Sequence, residues 1–161
     1  MMLNNHVWSI GDIRSYVAAV WEGKRVEIEP FQYPVNFGVI ANGSSATETV
    51  TFAGDSDFVL LSLFSVFVES GLILSPVGST LVIEDTASNE KFTSEPAFLD
   101  LYTNTAYDLP SSATSKQLPF PRRFPAASSL QLTATQNIDP APGSAILVVV
   151  LCGVRVWEYS Q

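Results

Sequence analysis

The run DFVLLSLFSVFV at residues 57–68 decides how the rest of the chain is read. It is apolar almost throughout, yet shorter than the ~20 residues a helix needs to cross a bilayer. Its length and its aromatic and β-branched content fit a buried strand. AILVVVLCGVRVW at 145–157 has the same character. Between and around them lie VNFGVI (35–40), TETVTF (47–52), STLVIED (79–85), AFLDLYT (97–103) and SSLQLTAT (128–135). The separators ANGSS, AGDSD, ESGLILSPVG, TASNEKFTSEP and NIDPAPG are rich in turn formers. Seven or eight strands at this spacing, with no helical pattern among them, predict an all-β fold: an antiparallel β-sandwich of jelly-roll type.

One helix is expected ahead of the strands, from Ser9 to Glu22. Ser9 is a good N-cap, Asp12 suits the first turn, and Gly23 suits the stop. Ile10, Ile13, Val17, Val20 and Trp21 share one apolar stripe. That stripe covers either the domain's own core or a neighbouring subunit. The expected organisation is a helix and proline-punctuated arm over residues 1–34, followed by the sandwich over 35–161.

Hydrophobic residues make up 47% of the 161-residue chain and charged residues 15%, which leaves apolar surface for partners. Sixteen acids against eight bases give a net charge of −8, so a phosphate backbone would be repelled and nucleic-acid binding is not expected. No membrane segment is expected either. The N-terminal MMLNNHVWSIGD has neither the basic start nor the long apolar core of a signal peptide, which points to a protein made and kept in a cytosol.

The chemistry-bearing inventory is short. His6 is the only histidine and Cys152 the only cysteine, so neither a catalytic triad nor a multi-cysteine or multi-histidine metal site is expected. Cys152 reads as a buried, inert thiol. Asp55 and Asp57 in AGDSDF have the chemistry for a calcium ion or a hydrolytic acid pair, but the remaining loop ligands are missing and a solvated turn is the simpler reading. Phosphate-binding glycine motifs are absent. Trp8, Trp21, Trp157, Tyr102, Tyr107 and Tyr159 are aromatic residues that could stack on a sugar. Of these, Trp8 and Trp21 read as helix-flanking or core and Trp157 as the end of the last strand. They keep a carbohydrate-binding module or receptor-binding head, to be tested at Tyr102 or Tyr107, as the alternative function. The expectation is no enzyme activity, no cofactor and no metal.

Residues 104–127, NTAYDLPSSATSKQLPFPRRFPAA, lack clear periodicity and read as a long connection, either functional or crossing between sheets. Pro119, Pro121 and Pro125 stiffen it. Phe120 and Phe124 are placed to anchor it, and Arg122 and Arg123 form the only adjacent arginine pair. These arginines either point at water or meet an acidic patch on another subunit, a role that suits the planar guanidinium. The candidate protein-contact residues are therefore Phe120, Arg122, Arg123 and Phe124, with Ile13, Val17 and Trp21 of the helix as a second set.

From Asp57 to Trp157 the order of features resembles the small jelly-roll structural proteins of tailed-phage virions. It is carried by the long strand DFVLLSLFSVFV, by GSTLVIEDTASNEKFTSEPAFLDLY, by LPFPRRFPAASSLQLTATQN, and by a last apolar strand running into LCGVRVW. The resemblance implies a capsid decoration, cement or accessory protein located in the virion and made in the host cytoplasm. It further implies a homo-oligomer, a trimer first, seated on the phage major capsid protein or another virion protein.

Overall fold

A computed structural model describes residues 8–69, 72–73, 78–99, 104–105, 116–137 and 146–159. The elements are α1 (Ile10–Val20), β1 (Arg25–Val39), β2 (Ser45–Thr51), β3 (Asp57–Glu69), β4 (Leu72–Ile73), β5 (Thr80–Asp85), β6 (Ala97–Phe98), β7 (Asn104–Thr105), β8 (Lys116–Phe124), β9 (Ser129–Thr135) and β10 (Ile146–Tyr159). One sheet runs β1-β10-β3, with β8, β7 and β4 following one another along the far edge of β3; the other runs β2-β9-β5-β6. Among the long strands the first pairs with the last, the second with the last but one, and β3 with β8. That nested antiparallel pairing, rolled over two sheets, is a jelly roll.

Period-2 patterning explains the second sheet. Leu130, Leu132 and Ala134 of β9, with Leu81 and Ile83 of β5, are buried between the sheets. The alternate positions carry hydroxyls that pair across strands: Ser45 with Thr135 at 2.6 Å, Thr47 with Thr133 at 2.9 Å, and Thr51 with Ser129 at 2.9 Å. This outer face needs only water.

β3 and β10 are different because they are apolar on both faces. Phe58, Leu60, Leu63 and Phe67, with Leu147, Val149 and Leu151, point into the sandwich. There Tyr33, Phe52 and Phe58 form an aromatic centre with ring centroids 4.9–5.1 Å apart. Val59, Leu61, Val154 and Val156 point the other way, where Val17 and Trp21 of α1 bury them. α1 starts at a reciprocal capping box, Asp12 N–H donating to Ser9 Oγ (3.1 Å) and Ser9 N–H to Asp12 Oδ2 (3.0 Å). It ends before Gly23, whose φ of +75° favours glycine.

Two expectations are corrected. The boundary drawn at 34/35 falls inside β1, so the proline-punctuated arm is the first part of a strand that runs to Val39. The stretch 116–124, read as part of a loop, is strand β8. In both cases prolines hid a strand. β1 and β8 each pair on one side only among the described residues, and an edge strand tolerates residues without an N–H.

The β3–β10 ladder shifts register between Cys152 and Gly153. A Cβ at Gly153 would lie 2.1 Å from the Val59 carbonyl oxygen and 2.8 Å from the Phe58 ring, and backbone cannot yield cheaply. Gly153→Ala is therefore expected to cost ~3 kcal/mol or more of unfolding free energy in urea titrations. Gly54→Ala, where a Cβ meets nothing within 4 Å, serves as the matched control and changes little.

Candidate functional site

The proline-rich edge strand β8 carries the sequence candidates, and its register with β3 sends them in different directions. Phe124 lies opposite Phe58, Arg123 opposite Val59, and Arg122 opposite Leu60. Phe124 thus faces the sandwich interior, 1% exposed, with its ring 5.1 Å from that of Phe52. It is a core residue of this chain rather than a contact for another.

Arg123 emerges on the opposite face of the sheet, beside α1. Its Nη2 is 2.6 Å from Asp57 Oδ2, and its guanidinium sits 4.5 Å over the Trp21 ring. Asp57 Oδ1 also accepts the Ala126 N–H at 2.9 Å. One arginine therefore ties α1, β3 and β8 together. Arg122 points the other way, 2.9 Å from Glu90 Oε2 and 4.5 Å over the Phe92 ring. Both arginines meet acids and rings of their own chain, and their side chains stay 32% and 41% exposed.

The second candidate set follows the same pattern. Val17 and Trp21 are buried on the chain's own sheet, and Ile13 packs partly buried beside them. The stripe of α1 covers its own domain.

Phe120 stands far more exposed than the other candidates, at 79%. It borders an open groove of about 400 Å³ formed with Phe92, Thr93, Ala97, Leu118 and Pro121, where β8 meets the second sheet. Phe98, 58% exposed, lies next to Ala97 of that groove and was not singled out from sequence. Its signal, an apolar residue in a short strand, is indistinguishable from a core position. The Leu118 carbonyl accepts a hydrogen bond from Trp8 Nε1 at 3.1 Å, so the N-terminal segment helps fix the strand that bears Phe120.

Asp55 and Asp57 do not act as a pair. Asp57 is held by Arg123, whereas Asp55 Oδ1 accepts from Arg155 Nη2 at 2.7 Å and its Oδ2 from Trp157 Nε1 at 3.4 Å. The Trp157 hydrogen bond, then Arg155, holds the Asp55 carboxyl below its usual pKa. Each carboxylate is committed to a different cation. Among the described residues no three histidine, cysteine, aspartate or glutamate side chains gather to hold a metal. Cys152 is half-buried on the outer face of β10 rather than in the core, and burial pushes its thiol pKa up. His6, Tyr102 and Tyr107 lie outside the described residues.

No family model and no curated protein matches the chain. Among solved structures it is similar to the infectious bursal disease virus VP2 subviral particle, at 14% identity over 87% of this chain and with a TM-score of 0.29. The chain spans 38% of the length of that one, and a likeness this distant carries no argument about function.

The two phenylalanines of β8 separate core from surface in one experiment. Phe124→Ala is expected to lower stability by ~3–5 kcal/mol, as loss of a buried ring does. Phe120→Ala is expected to change it by less than ~0.5 kcal/mol. Arg123→Ala, which loses a partly exposed ion pair and a cation–π contact, falls between them at ~1–2 kcal/mol. Chemical denaturation of the three variants checks the order.

Proposed function

We propose that this chain is a virion structural protein, a capsid decoration or accessory protein of a tailed phage that stabilises neighbouring capsid subunits through buried surface. The observation that carries the reading is Phe120. A large aromatic residue stands 79% exposed on an edge strand fixed by the Arg122–Glu90 and Arg123–Asp57 pairs, at the rim of an apolar groove. A rigid, exposed ring beside a groove suits a protein contact, because little entropy is lost on docking and the ring supplies most of the energy. The jelly-roll strand order and the resemblance of residues 57–157 to phage virion proteins point the same way.

The partner is the major capsid protein or another virion protein, and the chain works as a homo-oligomer. Its acidity limits adhesion to packaged DNA. The paired arginines support the contact indirectly, by holding β8 in place.

Co-purification with the capsid protein encoded in the same genome, followed by binding to assembled shells, tests this. Anchoring aromatic residues contribute ~2 kcal/mol or more, so Phe120→Ser is expected to weaken shell binding roughly thirtyfold with the fold intact. Absence of wild-type binding to shells, or binding untouched by Phe120→Ser, defeats the reading.

A further inference from the structure

The sheet edges of this sandwich are not equally open. In the first sheet the outer long strands carry prolines, Pro30 and Pro34 in β1 and Pro119 and Pro121 in β8, and a proline offers no donor to an added strand. In the second sheet the β5 side is closed by Ala97–Phe98 of β6 and by the chain returning past Glu90. There Asp85 N–H donates to the Glu90 carbonyl and Phe92 N–H to the Ile83 carbonyl, both at 2.9 Å. β2 is different. Its sequence SATETVT holds no proline, glycine or lysine, and among the described residues it pairs with β9 alone.

The register fixes which backbone groups lie open. Gln136 N–H donates to the Ser44 carbonyl at 3.0 Å and Phe52 N–H to the Ser128 carbonyl at 2.9 Å, so the even-numbered residues of β2 bond to β9. Ser45, Thr47, Thr49 and Thr51 therefore turn their N–H and C=O groups the other way, and all are exposed. The even side chains point inward, where Ala46 and Val50 pack partly buried against the core. Glu48 lies between them, exposed and with no ion pair among the described residues. A carboxylate in this position loses water when another strand covers it, so it admits a strand that brings a base and resists one that does not. A second copy of β2 brings no base, and each copy carries a net charge of −8.

We infer that the open edge of β2 takes up an extended basic segment of a partner protein as an added antiparallel strand, with a lysine or arginine opposite Glu48. The main chain of Ser45, Thr47, Thr49 and Thr51 supplies the hydrogen bonds, and the alternate side chains supply the selection. Glu48 then sits in a non-hydrogen-bonded pair, where facing side chains come closest. Residues of the added strand opposite Ala46 and Val50 are apolar, because they extend the buried side. Those opposite Thr47 and Thr49 are serine or threonine, because they extend the hydroxyl face that β2 shares with β9. This edge belongs to the second sheet and Phe120 to the first, so strand addition and shell binding through Phe120 stand or fall separately.

Amide hydrogen exchange of the full chain, followed by NMR, tests the inference with a synthetic peptide in which threonine alternates with valine, lysine and valine. The peptide is expected to slow exchange at Thr47 and Thr49 about tenfold or more, and to leave Glu48 and Val50, already bonded to β9, unchanged. A copy of the peptide with glutamate in place of lysine is expected to bind about tenfold more weakly, and Glu48→Lys to reverse that preference. Thr49→Pro removes an outward donor while keeping the bonds to β9, and is expected to abolish protection at Thr47 with an unchanged circular dichroism spectrum. If that variant does not fold, the Glu48→Lys reversal carries the test. No protection at ~1 mM peptide, or equal binding of the two peptides, overturns the inference. Slow exchange at Thr47 and Thr49 in the protein alone also overturns it: at every dilution, because the edge is then already paired, or rising with concentration, because a second copy then occupies it.

Discussion

The antiparallel pairing of β3 with β10 is the constraint from which the other features follow. Both strands are apolar on two faces, so each face must be covered. The inner faces meet the second sheet across Phe52, Phe58, Leu132 and Leu151. The outer faces call for a further layer, and α1 supplies it over Val59, Leu61, Val154 and Val156. Full burial of one such side chain is worth ~1.5–3 kcal/mol, so this coverage outweighs any single polar contact holding the helix. The close approach of the two strands at Gly153, where even a methyl group would strike the Val59 carbonyl, is what allows their register shift.

Arg123 then orients what burial has brought together. Its ion pair with Asp57 and its place over Trp21 fix the angle between α1 and the edge strand β8. Because Asp57 also receives the Ala126 N–H, the contact extends into the turn that leads to β9. Contacts of this kind contribute only ~1 kcal/mol each at a partly exposed site, so their role is geometric more than energetic. They hold steady a strand whose next exposed side chain, Phe120, is free to meet a partner. Charge reversal at both arginines would consequently disturb the fold before it reported on any interface.

The sandwich was legible because period-2 patterning repeats wherever one face is wet, as in SLQLTAT at 129–135. α1 was legible because Ser9, Asp12 and Gly23 mark its ends by local hydrogen bonding and backbone geometry. β8 and the start of β1 were not, since proline argues against a strand unless the strand is known to lie at an edge, and edge position is a property of the assembled sheet. The candidate site divided for a related reason. Phe120 and Phe124 are the same residue type four positions apart, yet one is 79% exposed and the other 1%. Their difference comes from how β8 lies against β3 and the second sheet. Tyr102 and Tyr107, the residues on which the sugar-binding alternative leaned, fall outside the described residues.

Taken by itself, the order of residues determined what is local: the strand-forming runs, the capped helix, the acidic charge balance and the scarcity of catalytic side chains. These depend on hydrogen bonds and side-chain periodicities within a few residues of one another. The tertiary structure alone decided the partners of Arg122 and Arg123, which are Glu90 and Phe92 on one side of the sheet and Asp57 and Trp21 on the other. It also decided that α1 covers Val59, Leu61, Val154 and Val156 on the outer face of the first sheet. Both outcomes depend on contacts between segments distant in the chain, set by strand register and by the two-sided burial of β3 and β10.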